Sequence, residues 1–268
     1  MKRVILVCCV LFAVLQPVRT GTPEWLLDAR ASALGQILSV DNSLANPSYM
    51  SNAPTTCLFI DYQSPYLTAE LSTLQAGFLS HLKGYDYSLQ VSYQGYAKFN
   101  EIRCGLAVSK LLKPNFSLAI RLLCYRMDYI GNEDVINRLT ADIGLTYQFV
   151  NNFRIGVLLI NPFRTGYTRD KSKYYLPISF LLGLQYDPVK HCTLLIECVK
   201  DICYPFIGKI GFAYRPVDLV ELRLGLLTSP FIPTCGIGLR WSKLSCDVAS
   251  SYHPLLGFSP QIGFKYYF

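Results

Sequence analysis

The chain has 268 residues, of which 51% are hydrophobic and only 16% charged, against about 25% charged in an average soluble domain. That balance excludes intrinsic disorder and disfavours an ordinary soluble enzyme. The formal charge of +7 falls to +4 once Lys2, Arg3 and Arg19 are set aside, which gives no argument for a nucleic-acid partner.

Lys2 and Arg3 precede an uncharged apolar run from Val4 to Leu15, followed by polar residues around Thr20 to Thr22. A short basic start, a brief apolar run and a polar exit form the pattern of a secretory signal peptide, and residues 1–21 are read as one. The run is too short for a spanning helix, which needs about 20 residues. Residues 22–54 follow without clear periodicity.

From residue 55 onward the pattern has period two, which places adjacent side chains on opposite faces of a strand. Tyr87, Leu89, Val91 and Tyr93 alternate with Ser88, Gln90, Ser92 and Gln94, and Val220, Leu222, Leu224 and Leu226 alternate with Glu221, Arg223 and Gly225. Strands are expected at 55–63, 71–80, 86–97, 101–113, 115–130, 137–150, 152–161, 175–187, 190–200, 206–215, 218–228, 232–242, 243–252 and 258–268. Their length suits a tilted crossing of about 9–11 residues. Aromatics such as Tyr147, Phe149, Tyr186, Tyr214 and Trp241 fall at strand ends, and the chain finishes on Phe268. Short turns alternate with longer connections, the longest from Asn161 to Tyr174. The expected fold is all-β: a transmembrane antiparallel barrel of about fourteen strands over residues 55–268, with 22–54 as an N-terminal plug. A closed barrel satisfies every backbone hydrogen bond where lipid offers none.

One face carries the charges Glu101, Arg103, Arg121, Arg138, Asp142, Glu197, Lys209, Glu221, Arg223, Arg240, Asp247 and Lys265. On the lipid side near the midplane an Arg or Lys would cost about 2–4 kcal/mol, so these residues are candidates for the lumen. The same face holds Gly105, Gly144, Gly156, Gly183, Gly211, Gly225, Gly236, Gly238 and Gly263, which leaves room for residues 22–54. Cys104, Cys124, Cys192, Cys198, Cys235 and Cys246 share the apolar face and read as small hydrophobes. Cys57 and Cys203 are the ones left for a disulfide. His191 faces away from Cys192 and Cys198, so no metal is expected, and no cofactor motif is present. The histidines His81, His191 and His253 lie in neither a nucleophile elbow nor a zinc motif. An outer-membrane lipid-modifying enzyme would have to use His253 with Ser250 or Ser251. The 161–174 loop, with Arg164, Arg169, Lys171 and Lys173, is the candidate contact for phosphorylated lipopolysaccharide.

Asp28-Ala29-Arg30-Ala31-Ser32-Ala33-Leu34-Gly35 and, further on, Asp41-Asn42-Ser43-Leu44-Ala45-Asn46-Pro47 resemble the start of PorV/PorQ-type outer-membrane proteins. Those belong with the fatty-acid channel FadL among barrels that carry an N-terminal hatch. The resemblance implies a Gram-negative outer membrane, in small members from Bacteroidetes, and marks Arg30, Gly35, Asn46 and Pro47 as the plug motif. Asp28, Gln36 and Ser48 depart from the family pattern. Two functions follow from it. One is a non-catalytic barrel that passes or holds small apolar or amphipathic molecules. The other is an accessory that works with components of type IX secretion.

Overall fold

The computed structural model describes residues 26–41, 44–52, 56–129, 135–169, 172–202 and 205–268. Fourteen strands close into one antiparallel barrel. They are β1 Cys57–Gln63, β2 Thr73–Leu82, β3 Tyr85–Tyr96, β4 Phe99–Lys113, β5 Phe116–Tyr129, β6 Ile136–Val150, β7 Phe153–Ile160, β10 Ser179–Val189, β11 Cys192–Asp201, β12 Ile207–Val217, β13 Val220–Leu227, β14 Ile232–Trp241, β15 Leu244–His253 and β16 Gly257–Tyr267. Each pairs with its neighbours in chain order, and β1 closes on β16 with Asp61 opposite Gly263. A separate hairpin, β8 Gly166–Arg169 with β9 Ser172–Tyr175, stands between β7 and β10.

Connections at 83–84, 114–115, 151–152, 190–191, 218–219 and 242–243 gather at one end, here the turn rim. Lys83 and Gly84 both have positive φ, at 51° and 79°, the type I′ geometry that matches strand twist. Registers shift next to this rim on β4, β6, β10 and β12, between Leu111 and Lys113, Gln148 and Val150, Tyr186 and Val189, and Tyr214 and Val217. Bulges there strengthen the local twist. The wider connections lie at the opposite end, the loop rim.

The period-two faces separate as expected. Tyr87, Leu89, Val91 and Tyr93 are exposed, while Gln90 and Ser92 are buried inside. Outward leucines such as Leu224 remain 59% exposed, a surface suited to hydrocarbon. Aromatics ring the turn rim, where Tyr147 meets Phe149 at 5.9 Å and Tyr266 meets Phe268 at 5.2 Å. Cys124, Cys198 and Cys235 are exposed on the same outer surface, and Cys57 is a buried free thiol. Residues 1–21 and Cys203 lie outside the described residues.

Most strand bounds shift from expectation by one or two residues, and two places show a clear cause. β2 starts at Thr73 rather than residue 71, because the short 3-10 turns Pro65–Leu67 and Ala69–Leu71 use the preceding segment. The strand expected from residue 175 begins at Ser179, and Tyr175 instead closes the β8–β9 hairpin. Pro177 lacks the amide donor that a continuous strand would need. Tyr167 and Tyr174 stack at 5.6 Å across the hairpin, inside what reads as a plain loop.

Candidate functional site: the lumen and its N-terminal segment

The inner segment begins with a short helix, α1 Ala29–Ala33. Asp28 caps it by accepting from the Ala31 amide at 2.8 Å, the usual way to satisfy a first-turn donor. Small residues allow close approach to the wall, and Gly35 ends the helix with φ +72°, in the left-handed region that glycine tolerates.

From there the segment makes a lap of the barrel. Gln75 on β2 and Gln261 on β16 both donate to the Leu27 carbonyl, at 2.5 and 2.8 Å. Gly35 N donates to Thr234 Oγ1 on β14 at 2.9 Å. Ser39 meets β11, Asn46 and Ser48 meet β7 and β6, and Ser51 reaches Asp86 on β3 at 2.6 Å. Wall glycines set the track. A Cβ on Gly225 would sit 2.0 Å from Gly35 N, and one on Gly156 2.0 Å from the Ser39 carbonyl. The Asn46 side chain closes the local turn, donating to the Ser39 carbonyl at 2.7 Å and accepting from Ser48 N at 3.1 Å. Pro47 opens the 3-10 turn Pro47–Asn52 against Gly144.

The lumen charges near the turn rim are paired, and the N-terminal segment joins most pairs. Arg121 and Asp142 lie 2.7 Å apart, and Arg121 also donates to the Leu44 carbonyl at 2.7 Å. Lys209 bonds Glu197 at 2.9 Å and the Gln36 carbonyl at 2.6 Å, while the Leu38 and Ser39 amides donate to Glu197. Arg30 bridges Asp41 at 2.6 Å and Glu221, and Arg223 ties Glu221 to Asp247 at 2.7 and 2.6 Å. Lys265 holds Asp28 at 2.6 Å, and the Ala29 amide donates to Asp61 at 2.9 Å. Burial works against the Asp28 carboxylate, yet Lys265 and the Ala31 amide keep its pKa below the ordinary value. Burial likewise opposes the Arg30 charge, but Asp41 and Glu221 hold its pKa well above the ordinary one.

The remaining candidates are dispersed. Arg103 pairs with Glu101 on its own strand, and Arg138 stands near the loop rim, donating to the Gly166 carbonyl at 2.9 Å. Arg240 is exposed at the turn rim, beside a shallow pocket shared with Arg215 and Glu221. Asp28, Asp41, Asp61, Tyr49, Arg154 and Arg215 also join the networks but are absent from the sequence candidates. Arg154 and Arg215 have the inward parity of their strands, which is the signal that could have found them. His253 accepts from the Leu255 and Leu256 amides through Nδ1, at 3.2 and 3.3 Å, and so builds the turn after β15. The sequence had suggested it only as a partner for Ser250 or Ser251.

The loop half of the lumen departs from the charged picture. Inward residues of β5, β7, β10, β11 and β12, among them Leu123, Leu158, Leu181, Val199 and Ile207, form one buried apolar cluster. Leu26, Leu27 and Leu38 of the inner segment belong to it. The lumen is therefore ion-paired towards the turn rim and apolar along one wall towards the loop rim.

No known family's sequence profile matches the chain, and no curated protein does. Solved structures do. The Pseudomonas putida toluene transporter TodX aligns over 90% of this chain and 98% of its own, with a TM-score of 0.66 at 12% identity. The Ralstonia pickettii toluene transporter TbuX aligns over 90% and 98%, with 0.65 at 11%. A Pseudomonas aeruginosa FadL homologue aligns over the same shares, 90% and 98%, with 0.66 at 10%. At such identities the likeness concerns architecture alone: the chain has the FadL-like barrel fold.

Proposed function

We propose that the protein is a non-catalytic barrel of a Gram-negative outer membrane that passes small apolar molecules, exported through a cleaved leader spanning residues 1–21. The observation that carries this reading is the apolar cluster in the loop half, continuous from the wall leucines to Leu26, Leu27 and Leu38. An ion or sugar porin would line that half with polar groups on every side. The fold is shared with transporters of toluene and with a monoaromatic hydrocarbon channel, which supports the same substrate class here. The ion pairs towards the turn rim neutralise one another and offer no charge selectivity.

Proteoliposomes with lipopolysaccharide in the outer leaflet test it. Protein-dependent uptake of labelled toluene is expected, and it should rise when residues 26–52 are deleted; uptake no faster than in empty vesicles contradicts the reading. The secretion-accessory alternative rests on the residue 28–47 resemblance. It would be supported by co-purification of secretion components from native membranes.

A further inference from the structure

The loop half of the lumen has a second wall. Strands β15, β16, β1, β2 and β3 line it with Ser251, Ser259, Gln261, Gln63, Thr73 and Ser92, all buried. Above the level of Asp61, Gly263 and Asp247, which lie side by side across β1, β16 and β15, no described inward residue of these five strands carries a full charge. Gln63 Oε1, Thr73 Oγ1, Ser92 Oγ, Gln261 Oε1 and His253 Nε2 have no hydrogen-bond partner among the described residues. A buried polar atom without a partner costs about 1–3 kcal/mol, and native proteins hold few of them.

Their chemistry is specific. The Gln261 amide donates its NH2 to Leu27, which leaves Oε1 as a fixed acceptor facing elsewhere. His253 Nδ1 accepts two backbone amides, so Nε2 bears the proton and is a fixed donor. Thr73 and Ser92 can serve either way. Opposite stands the apolar wall of Leu123, Leu158, Leu181 and Val199.

From this two-sided lining we infer that the loop half binds an amphiphile with an uncharged, hydroxyl-type head and an aliphatic tail, in preference to a pure hydrocarbon or a carboxylate. The head lies on the glutamine, serine and threonine wall and the tail on the leucine wall. A carboxylate head would find no unpaired cation on these strands, where Lys265 is held by Asp28. The inference rests on the proposed passage of apolar molecules and names the substrate class.

The test is equilibrium binding of labelled 1-dodecanol, dodecane and dodecanoate to the full protein in lipid nanodiscs, with empty nanodiscs subtracted. Dodecanol is expected to bind about fivefold tighter than dodecane, the factor one net hydrogen bond supplies, and dodecanoate more weakly than dodecanol. The double variant Thr73→Val, Ser92→Ala should bring the dodecanol-to-dodecane ratio towards one. Thr73→Ser should preserve it, and an unchanged heat-modifiable gel shift shows that each variant is folded. Equal binding of alcohol and alkane, or tightest binding of dodecanoate, overturns the inference and leaves apolar passage standing. If none of the three binds above the empty nanodisc, the proposed function falls with it.

Discussion

Arg223 and Leu224 are adjacent on β13, yet one is buried in an ion-pair network and the other faces outward at 59% exposure. Leu224→Arg places a cation in hydrocarbon and should lower the folding stability in liposomes by about 2–4 kcal/mol, measured by urea titration of the heat-modifiable gel shift. Among the inward charges, Arg121 on β5 and Asp142 on β6 form an enclosed pair, with side chains 1% and 0% exposed. Replacing one partner strands the other, so Asp142→Asn should cost about 3–5 kcal/mol in the same titration. Adding Arg121→Met should recover part of that loss. Recovery is incomplete because the Leu44 carbonyl loses the hydrogen bond that Arg121 now donates to it.

At the scale of elements, the inner segment is held by contacts spread around the wall, and a bulky residue on its track should lift it. Gly156→Val and Gly225→Val would drive side-chain atoms into Ser39 and Gly35. Both are expected to raise hydrogen exchange across residues 34–40 and to increase solute leak through the barrel. Acid should loosen the other end. The Asp28 pKa is depressed on docking, so its contribution is complete above the ordinary carboxylate pKa of about 4 and is lost as pH falls through the lower docked value. Exchange over residues 26–33, corrected for intrinsic rates, should rise as pH falls below about 4. Much of this element was hard to read in advance. Asp41 and Tyr49 sit in an aperiodic stretch, where no spacing says which way a side chain points. Arg30, Gly35, Asn46 and Pro47 stood out only through a resemblance.

Over the whole molecule, the barrel was legible because its environment enforces a strict contrast. Each strand has hydrocarbon on one side and polar lumen on the other, so Tyr87 to Gln94 can be sorted residue by residue. The loop half escaped that logic. Val157-Leu158-Leu159-Ile160 and Phe180-Leu181-Leu182 are apolar on both faces, and alternation carries no sidedness where lumen and lipid ask for the same residues. The β8–β9 hairpin escaped for another reason: its alternation is polar and aromatic, without an apolar face to flag it.

The passing molecule is expected against the apolar wall of the loop half of the lumen. Photolabelling with a small aliphatic diazirine in intact membranes, followed by mass mapping of adducts, tests it directly. Adducts are expected on inward residues such as Leu158 and Leu181 as well as on the lipid-facing surface, and excess unlabelled toluene should suppress only the inward set. Labelling confined to outward residues such as Leu222 and Leu224, unaffected by toluene, would contradict a lumenal path.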